Sequence, residues 1–124
     1  MNYLTRQELL DLHGYLVERY GGRLGISSQD QLIGVVDAPQ QVMFEAELYP
    51  DLPSKASALA FQLIKNRPFR SCNEATALLA TLRLFELNGA SIEQVEQLAQ
   101  QISLIGRSEL EREGFERWLR EQLG

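Results

Sequence analysis

The polar stretch from Lys65 to Ala77 contains the side chains of this 124-residue chain that are best suited to chemistry. Ser71 is followed three residues later by Glu74, a capping-box spacing that predicts the start of a helix. The unpaired backbone N–H groups at such a start can bind an anion, typically a phosphate. Every capped helix has such groups, so this feature alone is a weak indication of a phosphate site.

The chain has one histidine, His13, and one cysteine, Cys72. His13 falls on the apolar face of a predicted helix, so a hydrogen-bonded core histidine is a better interpretation than a general base. Cys72 lies beside the predicted helix start, where a thiol can become reactive, although an unreactive thiol is again the better interpretation. One Cys excludes an internal disulfide, and with only one His beside it we expect no metal site.

Two segments rich in Ala and Leu flank the polar stretch and must position it. Ser54 is expected to cap the first helix, and the second is expected to run from Glu74 to Leu87 and to stop at Asn88-Gly89. Both patterns are apolar around most of the helix, which predicts two buried helices at the centre of the fold. The core is therefore expected to fix the polar loop between them.

Further helices are predicted on both sides of this central pair, and Gly21-Gly22 should end the first of them. The segment from Pro39 to Pro50 could be a short helix or a packed loop, and the sequence does not decide between these. No segment reads convincingly as a strand. We therefore predict an all-α fold, a single domain over residues 1–124 with about six helices. The remaining capping-box spacings are Thr5 with Glu8, Ser28 with Gln31, Ser91 with Gln94, and Ser108 with Glu111.

The charge and the distribution of apolar residues argue against two classes of partner, nucleic acids and membranes. The net charge is -5 and the pI is about 4.9, which argues against a general nucleic-acid binder because phosphate contacts need clustered Lys and Arg. No apolar run has the length of a membrane span, and the N-terminus lacks the pattern of a signal peptide. We therefore expect no nucleic-acid or membrane partner, and a cytoplasmic location.

The stretch Arg67-Pro68-Phe69-Arg70-Ser71-Cys72-Asn73-Glu74-Ala75-Thr76-Ala77 resembles the signature of the Fic/Doc proteins. The death-on-curing form of that signature is roughly H-P-F-x-D-G-N-K-R-T-A. Similar spacing recurs through most of the chain, at Leu4-Thr5, Glu8-Leu9-Leu10, Leu12-His13, Arg19-Tyr20-Gly21-Gly22, Gly25-Ile26, Leu48-Tyr49-Pro50 and Leu87-Asn88-Gly89.

The resemblance implies an all-α fold whose central loop and following helix bind a nucleotide phosphate. It also implies an enzyme that uses ATP and magnesium to transfer a phosphoryl or nucleotidyl group to a protein hydroxyl. Death-on-curing toxins phosphorylate the translation elongation factor Tu. A neighbouring antitoxin restrains them through a segment that folds into a groove.

Several reactive positions of the signature are substituted in this chain. Arg67 replaces the histidine that handles the proton of the attacking hydroxyl, and a guanidinium has no lone pair with which to act as a base. Ser71 replaces an acidic residue that helps to hold a divalent ion, and a neutral hydroxyl is a poor magnesium ligand. Glu74 and Ala75 replace a lysine and an arginine that help to bind phosphates. The local charge thus changes by about three units against a polyanion.

Cys72 replaces a small residue where the family's backbone approaches its ligand, and therefore adds bulk. The matched positions that keep the family's residue are Pro68, Phe69, Asn73, Thr76 and Ala77. Four residues therefore remain as candidates for a residual anion site: Phe69, Cys72, Asn73 and Thr76. For Asn73 we prefer a role in capping or in fixing the loop, and for Phe69 a role as a core plug.

Our main hypothesis is a degenerate death-on-curing toxin-like protein with no catalytic residue, no cofactor and no transferase activity. It would act by binding a protein, such as an antitoxin-like helix in a bacterial toxin–antitoxin pair. The alternative is an active transferase with altered chemistry, in which Arg67, Cys72 and Asn73 serve another anionic ligand and a protein hydroxyl is modified with a nucleotide. A decaying copy without a role is the third hypothesis.

Overall fold

Six α-helices make up most of the computed structural model, which describes residues 1–124. Their presence confirms the predicted all-α class and the predicted number of helices. None of the six has the length and apolar composition required to cross a membrane. The elements in chain order are α1 (Arg6–Tyr20), α2 (Gln29–Asp37), a 3-10 turn (Ala38–Gln40), β1 (Val42–Met43), β2 (Ala46–Glu47), α3 (Leu52–Asn66), α4 (Asn73–Leu87), α5 (Val95–Gly106) and α6 (Arg112–Gln122).

Helices α3 and α4 form the centre of the molecule, as predicted. Helix α3 packs against α4, α6, α2 and α5, and α4 also packs against α1 and α5. Alanines on the two central helices, among them Ala56, Ala60, Ala77 and Ala80, are completely buried. Because an alanine side chain is a single methyl group, the backbones of the two helices can approach closely and leave few voids. The loop between them is thereby held against the core.

Two of the predicted helix starts are confirmed. The Thr5 hydroxyl accepts a hydrogen bond of 3.0 Å from the Glu8 N–H group at the start of α1. The Ser28 hydroxyl accepts one of 3.2 Å from Gln31 at the start of α2. The predicted end of α1 at Gly21 is also observed.

Three other predicted starts are wrong. Helix α3 is capped by Asp51, whose carboxylate accepts the N–H of Ser54 at 3.1 Å, so that Ser54 lies inside the first turn. Helices α5 and α6 begin after Gln94 and Glu111, with no side chain capping either of them. In each case the serine is a residue type that favours a helix cap, but the helix begins at a different residue.

The segment between Pro39 and Pro50 is neither of the two expected alternatives. It forms the 3-10 turn and then a small antiparallel hairpin, in which Val42 pairs with Glu47 and Met43 with Ala46. The tip consists of Phe44 and Glu45, both with positive φ (52° and 66°). Hairpin turns of that conformation favour Gly or Asn. Phe44 and Glu45 are neither, so the residue types at the tip do not predict a turn.

Candidate functional site

The loop of residues 67–72, called the motif loop below, joins the two central helices. Arg67 ends α3 in the left-handed conformation (φ 48°, ψ 63°), and Cys72 precedes α4 in the same conformation (φ 60°, ψ 30°). Left-handed residues at both ends turn the chain sharply, so the six residues span the short distance between the ends of two packed helices.

Phe69 anchors the middle of the motif loop in the core. Its side chain is 2% exposed and stacks on the His13 ring, with 4.0 Å between the ring centroids. The buried Asn73 side chain accepts a hydrogen bond of 3.1 Å from the Phe69 N–H and donates one of 3.0 Å to the Phe69 carbonyl. Asn73 therefore fixes the loop, as we preferred from the sequence, because both the oxygen and the nitrogen of its side-chain amide bond to the Phe69 backbone.

His13 is the core histidine that the sequence indicated. It is 2% exposed, and its Nε2 lies 3.0 Å from the Ser71 carbonyl oxygen. Because a carbonyl can only accept, Nε2 carries the proton of the neutral ring. Burial lowers the pKa of His13 below its usual value, and the bond to Ser71 opposes this only in part. The imidazole is thus kept neutral as a clamp on the motif loop.

Ser71 does not cap α4, so the predicted capping box with Glu74 is wrong. The Ser71 hydroxyl instead accepts a hydrogen bond of 2.7 Å from the Arg23 N–H and donates one of 3.0 Å to the Arg23 carbonyl. A Cβ on Gly22 would lie 2.7 Å from the same hydroxyl oxygen. Helix α4 begins at Asn73 without any side-chain cap.

The connection between α1 and α2 braces the motif loop from outside. Arg70 donates its N–H to the Gly25 carbonyl at 3.1 Å, and Ser27 donates to the Pro68 carbonyl at 2.8 Å. Ile26 forms an isolated β-bridge with Phe69. These contacts are not predicted from the sequence, although the closely spaced glycines at the start of the connection are a sign of backbone packed at close range.

The first turn of α4 carries Glu74 and Ala75, which the resemblance aligns with phosphate-binding cations of the signature. Glu74 is exposed, and its carboxylate lies against Gly106 at the end of α5, where a Cβ would be 2.6 Å from Oε2. Thr76 donates its hydroxyl to the Cys72 carbonyl at 2.7 Å. Of the four candidates for a residual anion site, Phe69, Asn73 and Thr76 therefore serve packing or backbone contacts. No group of three His, Cys, Asp or Glu side chains is placed to hold a metal ion.

Cys72, the fourth candidate, borders a groove between α1 and α4 that has a volume of about 370 Å³. Ala75, which the resemblance aligns with an arginine of the signature, lies on the same wall. No charged side chain lines this space, which we call the α1–α4 groove. Its lining residues are Tyr15, Leu16, Tyr20, Cys72, Ala75, Leu78 and Leu79.

A helical fold that holds this motif loop between two buried helices is the architecture that the resemblance to Fic/Doc proteins implies. The family model of the Fic/DOC family matches residues 3–85, which is more than half of the chain. The chain therefore belongs to the Fic/DOC family. No curated protein matches the sequence.

Proposed function

We propose that this Fic/DOC protein is a degenerate, death-on-curing toxin-like member of its family that no longer transfers phosphoryl or nucleotidyl groups and acts by binding a protein. The observation that carries the proposal is the α1–α4 groove. No charged side chain lines it, and its wall includes Ala75, which the resemblance aligns with a phosphate-binding arginine of the family. Apolar surface favours a protein side chain over a nucleotide's phosphates.

The acid–base properties of the side chains at the site support the loss of phosphoryl and nucleotidyl transfer. Arg67 stays protonated and cannot accept the proton of an attacking hydroxyl. His13 is buried, and its Nε2–H is bonded to the Ser71 carbonyl. The Ser71 hydroxyl is hydrogen-bonded to the backbone N–H and carbonyl of Arg23. Glu74 places a negative charge in the first turn of α4, and this charge repels an incoming polyphosphate.

The shape of the groove supports a helical partner. Its wall on α4 extends from Cys72 to Leu79, about two helical turns or roughly 10 Å. An amphipathic helix can place apolar side chains into a groove of that length at its i, i+3 and i+4 positions. An antitoxin-like segment in the bacterial cytoplasm is such a partner. A bound helix would bury Tyr15 and Tyr20, which are 50% and 72% exposed.

A calorimetric titration with magnesium ATP tests the loss of nucleotide binding. The natural protein should give no binding heat, and the variant Arg67→His, Ser71→Asp, Glu74→Lys, Ala75→Arg should bind, because it regains a base, a metal ligand and two cations. The matched control, Arg67→Gln, Ser71→Asn, Glu74→Gln, Ala75→Gln, alters the same positions without these charges and should not bind.

Two results would contradict the proposal. Binding of magnesium ATP by the natural protein would favour the alternative of an active transferase with altered chemistry, and labelled-nucleotide transfer to lysate proteins would then identify its product. A reverted variant that is folded by circular dichroism but still fails to bind would show that more than these four side chains has been lost from the pocket.

A further inference from the structure

A cavity separate from the α1–α4 groove lies between α1 and the connection that leads to α2. It has a volume of about 350 Å³ and shares no lining residue with the groove. Helix α1 contributes Leu10 and His13, which are three residues apart and therefore lie on one face of the helix. We call this cavity the α1–α2 pocket. Its other walls are Leu24, Gly25, Ile26, Gln29 and Phe69.

His13 presents a hydrogen-bond acceptor to this pocket. Because Nε2 donates to the Ser71 carbonyl, Nδ1 of the neutral ring keeps its lone pair, and no donor bonds to it. Every completely buried side-chain nitrogen and oxygen in the structure has a partner. Nδ1 must therefore retain accessible surface, although His13 as a whole is only 2% exposed. Since His13 borders no other cavity, the lone pair of Nδ1 opens into the α1–α2 pocket.

Most of the remaining lining is apolar. The Phe69 ring contributes aromatic surface, and Leu10, Leu24 and Ile26 contribute aliphatic surface. A buried acceptor among apolar walls suits a ligand with an apolar body and one correctly placed donor. The volume of about 350 Å³ equals that of about a dozen water molecules at about 30 Å³ each, which corresponds to a ligand of about 10–15 non-hydrogen atoms. A nucleoside triphosphate is too large for this space.

Two arginines lie beside walls of the pocket. The Nε atom of Arg70 is 3.2 Å from the position that a Cβ on Gly25 would occupy, so this side chain lies over a wall residue that has no side chain of its own. Arg6 donates to the Gln29 side-chain oxygen at 2.8 Å. Neither guanidinium forms an ion pair within the chain.

The acidic residues that adjoin the walls in sequence do not neutralise these arginines. Asp11 follows Leu10, and its carboxylate accepts a hydrogen bond of 2.9 Å from Gln7. Asp30 follows Gln29. Both aspartates are exposed, and neither forms an ion pair. The cation over Gly25 is therefore available to an anionic group on a ligand.

We propose that the α1–α2 pocket binds a small aromatic acid whose O–H or N–H group donates to His13 Nδ1 and whose carboxylate pairs with Arg70. The inference is independent of protein binding in the α1–α4 groove, because the two cavities have no residue in common. A flat ring can pack edge-to-face or offset against Phe69. The carboxylate matches the planar fork of a guanidinium, which can bind both of its oxygens.

Hydroxybenzoates are suitable probes, because they carry a ring, a carboxylate and a phenolic donor on about ten non-hydrogen atoms. His13 is the only histidine, so isotopic labelling of histidine gives the resonances of a single imidazole. Its pKa is lowered by burial, and the ring is neutral at neutral pH. At least one of the ortho, meta and para isomers should shift the Nδ1 resonance with a Kd of about 1 mM or lower, while Nε2 keeps its proton.

Matched ligands and variants separate the two polar contacts. Benzoate lacks the donor and should bind about tenfold more weakly than the best hydroxybenzoate. The hydroxybenzamide of the same isomer keeps the donor without the charge and should also lose about tenfold. In Arg70→Gln the acid and the amide should bind equally. Arg117→Gln, the same change at an exposed arginine on α6, should preserve the difference between them.

Leu24→Glu tests the location on the full chain. Leu24 is 69% exposed, so the variant should fold, and a carboxylate on the wall should repel the acid and abolish its binding. Leu24→Gln, of the same size and uncharged, should retain most of the affinity. Failure of all three isomers to shift Nδ1 at about 10 mM would overturn the inference. So would binding that Leu24→Glu leaves unchanged, or a hydroxybenzamide that binds the natural protein as tightly as the acid.

Discussion

Cys72 adopts a left-handed backbone conformation that glycine accepts more readily than cysteine does. A residue with a Cβ pays about 1–2 kcal/mol for the left-handed conformation that glycine adopts freely. The structure holds Cys72 there (φ 60°) although its thiol makes only long contacts, 3.6 Å to the Gly21 carbonyl. The strain persists because the Phe69–Asn73 and Ser71–Arg23 bonds fix the loop on both sides.

Cys72→Gly should therefore be more stable than Cys72→Ala, by about 1 kcal/mol in the free energy of unfolding. Both variants remove the thiol, so the difference between them reports the cost of the Cβ in the left-handed conformation. Urea denaturation of the two proteins at neutral pH measures it. An alanine variant as stable as the glycine variant would show that the backbone at this position relaxes when the sulfur is removed.

The role of a single side chain could be predicted from the sequence where the neighbouring residue types indicated burial. His13 was predicted on the apolar face of a helix and Phe69 as a core plug, and the two side chains are buried in contact with each other. The prediction failed at Ser71, whose hydroxyl had a capping partner three residues away but bonds to Arg23, 48 positions away in the chain. Local spacing identifies the nearest possible acceptor or donor and gives no information about distant competitors.

At the scale of elements, the helix bodies were predictable and some of their ends were not. The apolar repeat that defines a helix body is spread over many residues, whereas a cap depends on one side chain. Asp51 rather than Ser54 caps α3, although both can accept the required hydrogen bond. The hairpin was missed because Phe44 and Glu45 form its tip in a conformation that neither favours.

The hairpin is held to the core by one buried cation. Lys55 on α3 is 1% exposed, and its ammonium donates to the Pro39 carbonyl and to the Glu47 carboxylate, both at 2.9 Å. It also lies 5.4 Å from the centroid of the Tyr3 ring. Burial acts to lower the pKa of Lys55, but the bonds to Glu47 and Tyr3 outweigh it, so that the pKa is raised and the charge is kept.

Lys55→Met should loosen the hairpin while keeping the apolar stem of the side chain. The Pro39 carbonyl would lose its partner in a buried setting, at a cost of about 1–3 kcal/mol. Amide hydrogen exchange should then accelerate at Leu48, which bonds to the Gln41 carbonyl across the base of the hairpin. Helix α4 should keep its protection.

Glu47→Gln is the control for this prediction. It removes the charge of the partner but keeps an acceptor, and the Glu47 side chain is already half exposed. Exchange at Leu48 should therefore change less than in Lys55→Met. Equal acceleration in the two variants would show that the ion pair, rather than the bond to the Pro39 carbonyl, fixes the hairpin.

At the scale of the whole molecule, α5 and α6 complete a core that the family match covers only in part. The match ends at residue 85, yet Ile102, Phe115 and Leu119 belong to the same buried cluster as the central helices. Helix α6 is tied to the start of α3 by the Arg120–Asp51 pair at 2.6 Å. The hydrogen bond from Arg120 is the main reason that the pKa of Asp51 falls to about 2.

Acid should consequently destabilise the protein in two separate ranges of pH. Asp51 stabilises the fold above its unfolded pKa of 3.8, and this contribution is lost as the pH falls toward about 2. Glu116 acts in the same direction: burial would raise its pKa, but hydrogen bonds from Arg112 and Arg120 outweigh burial and lower it. Both carboxylates act well below the range in which a histidine titrates.

His13 should control how the free energy of unfolding depends on pH in the upper of the two ranges. Its pKa in the folded protein lies below the ordinary 6.5, so between those two values the unfolded chain binds the extra proton. The free energy of unfolding should therefore fall as the pH is lowered from about 7 to about 5, with a slope of at most about 1.4 kcal/mol per pH unit for one proton. Urea denaturation over this range measures the slope.

His13→Gln provides the decisive comparison, because His13 is the only histidine in the chain. Glutamine can still donate to the Ser71 carbonyl but does not titrate, so the variant should be less stable than the natural protein at neutral pH and insensitive to pH down to about 5. Below about pH 4 both proteins should lose stability together through Asp51. A natural protein equally stable at pH 7 and pH 5 would mean that protonated His13 is accommodated without displacing the motif loop, and the imidazole could then not be its neutral clamp.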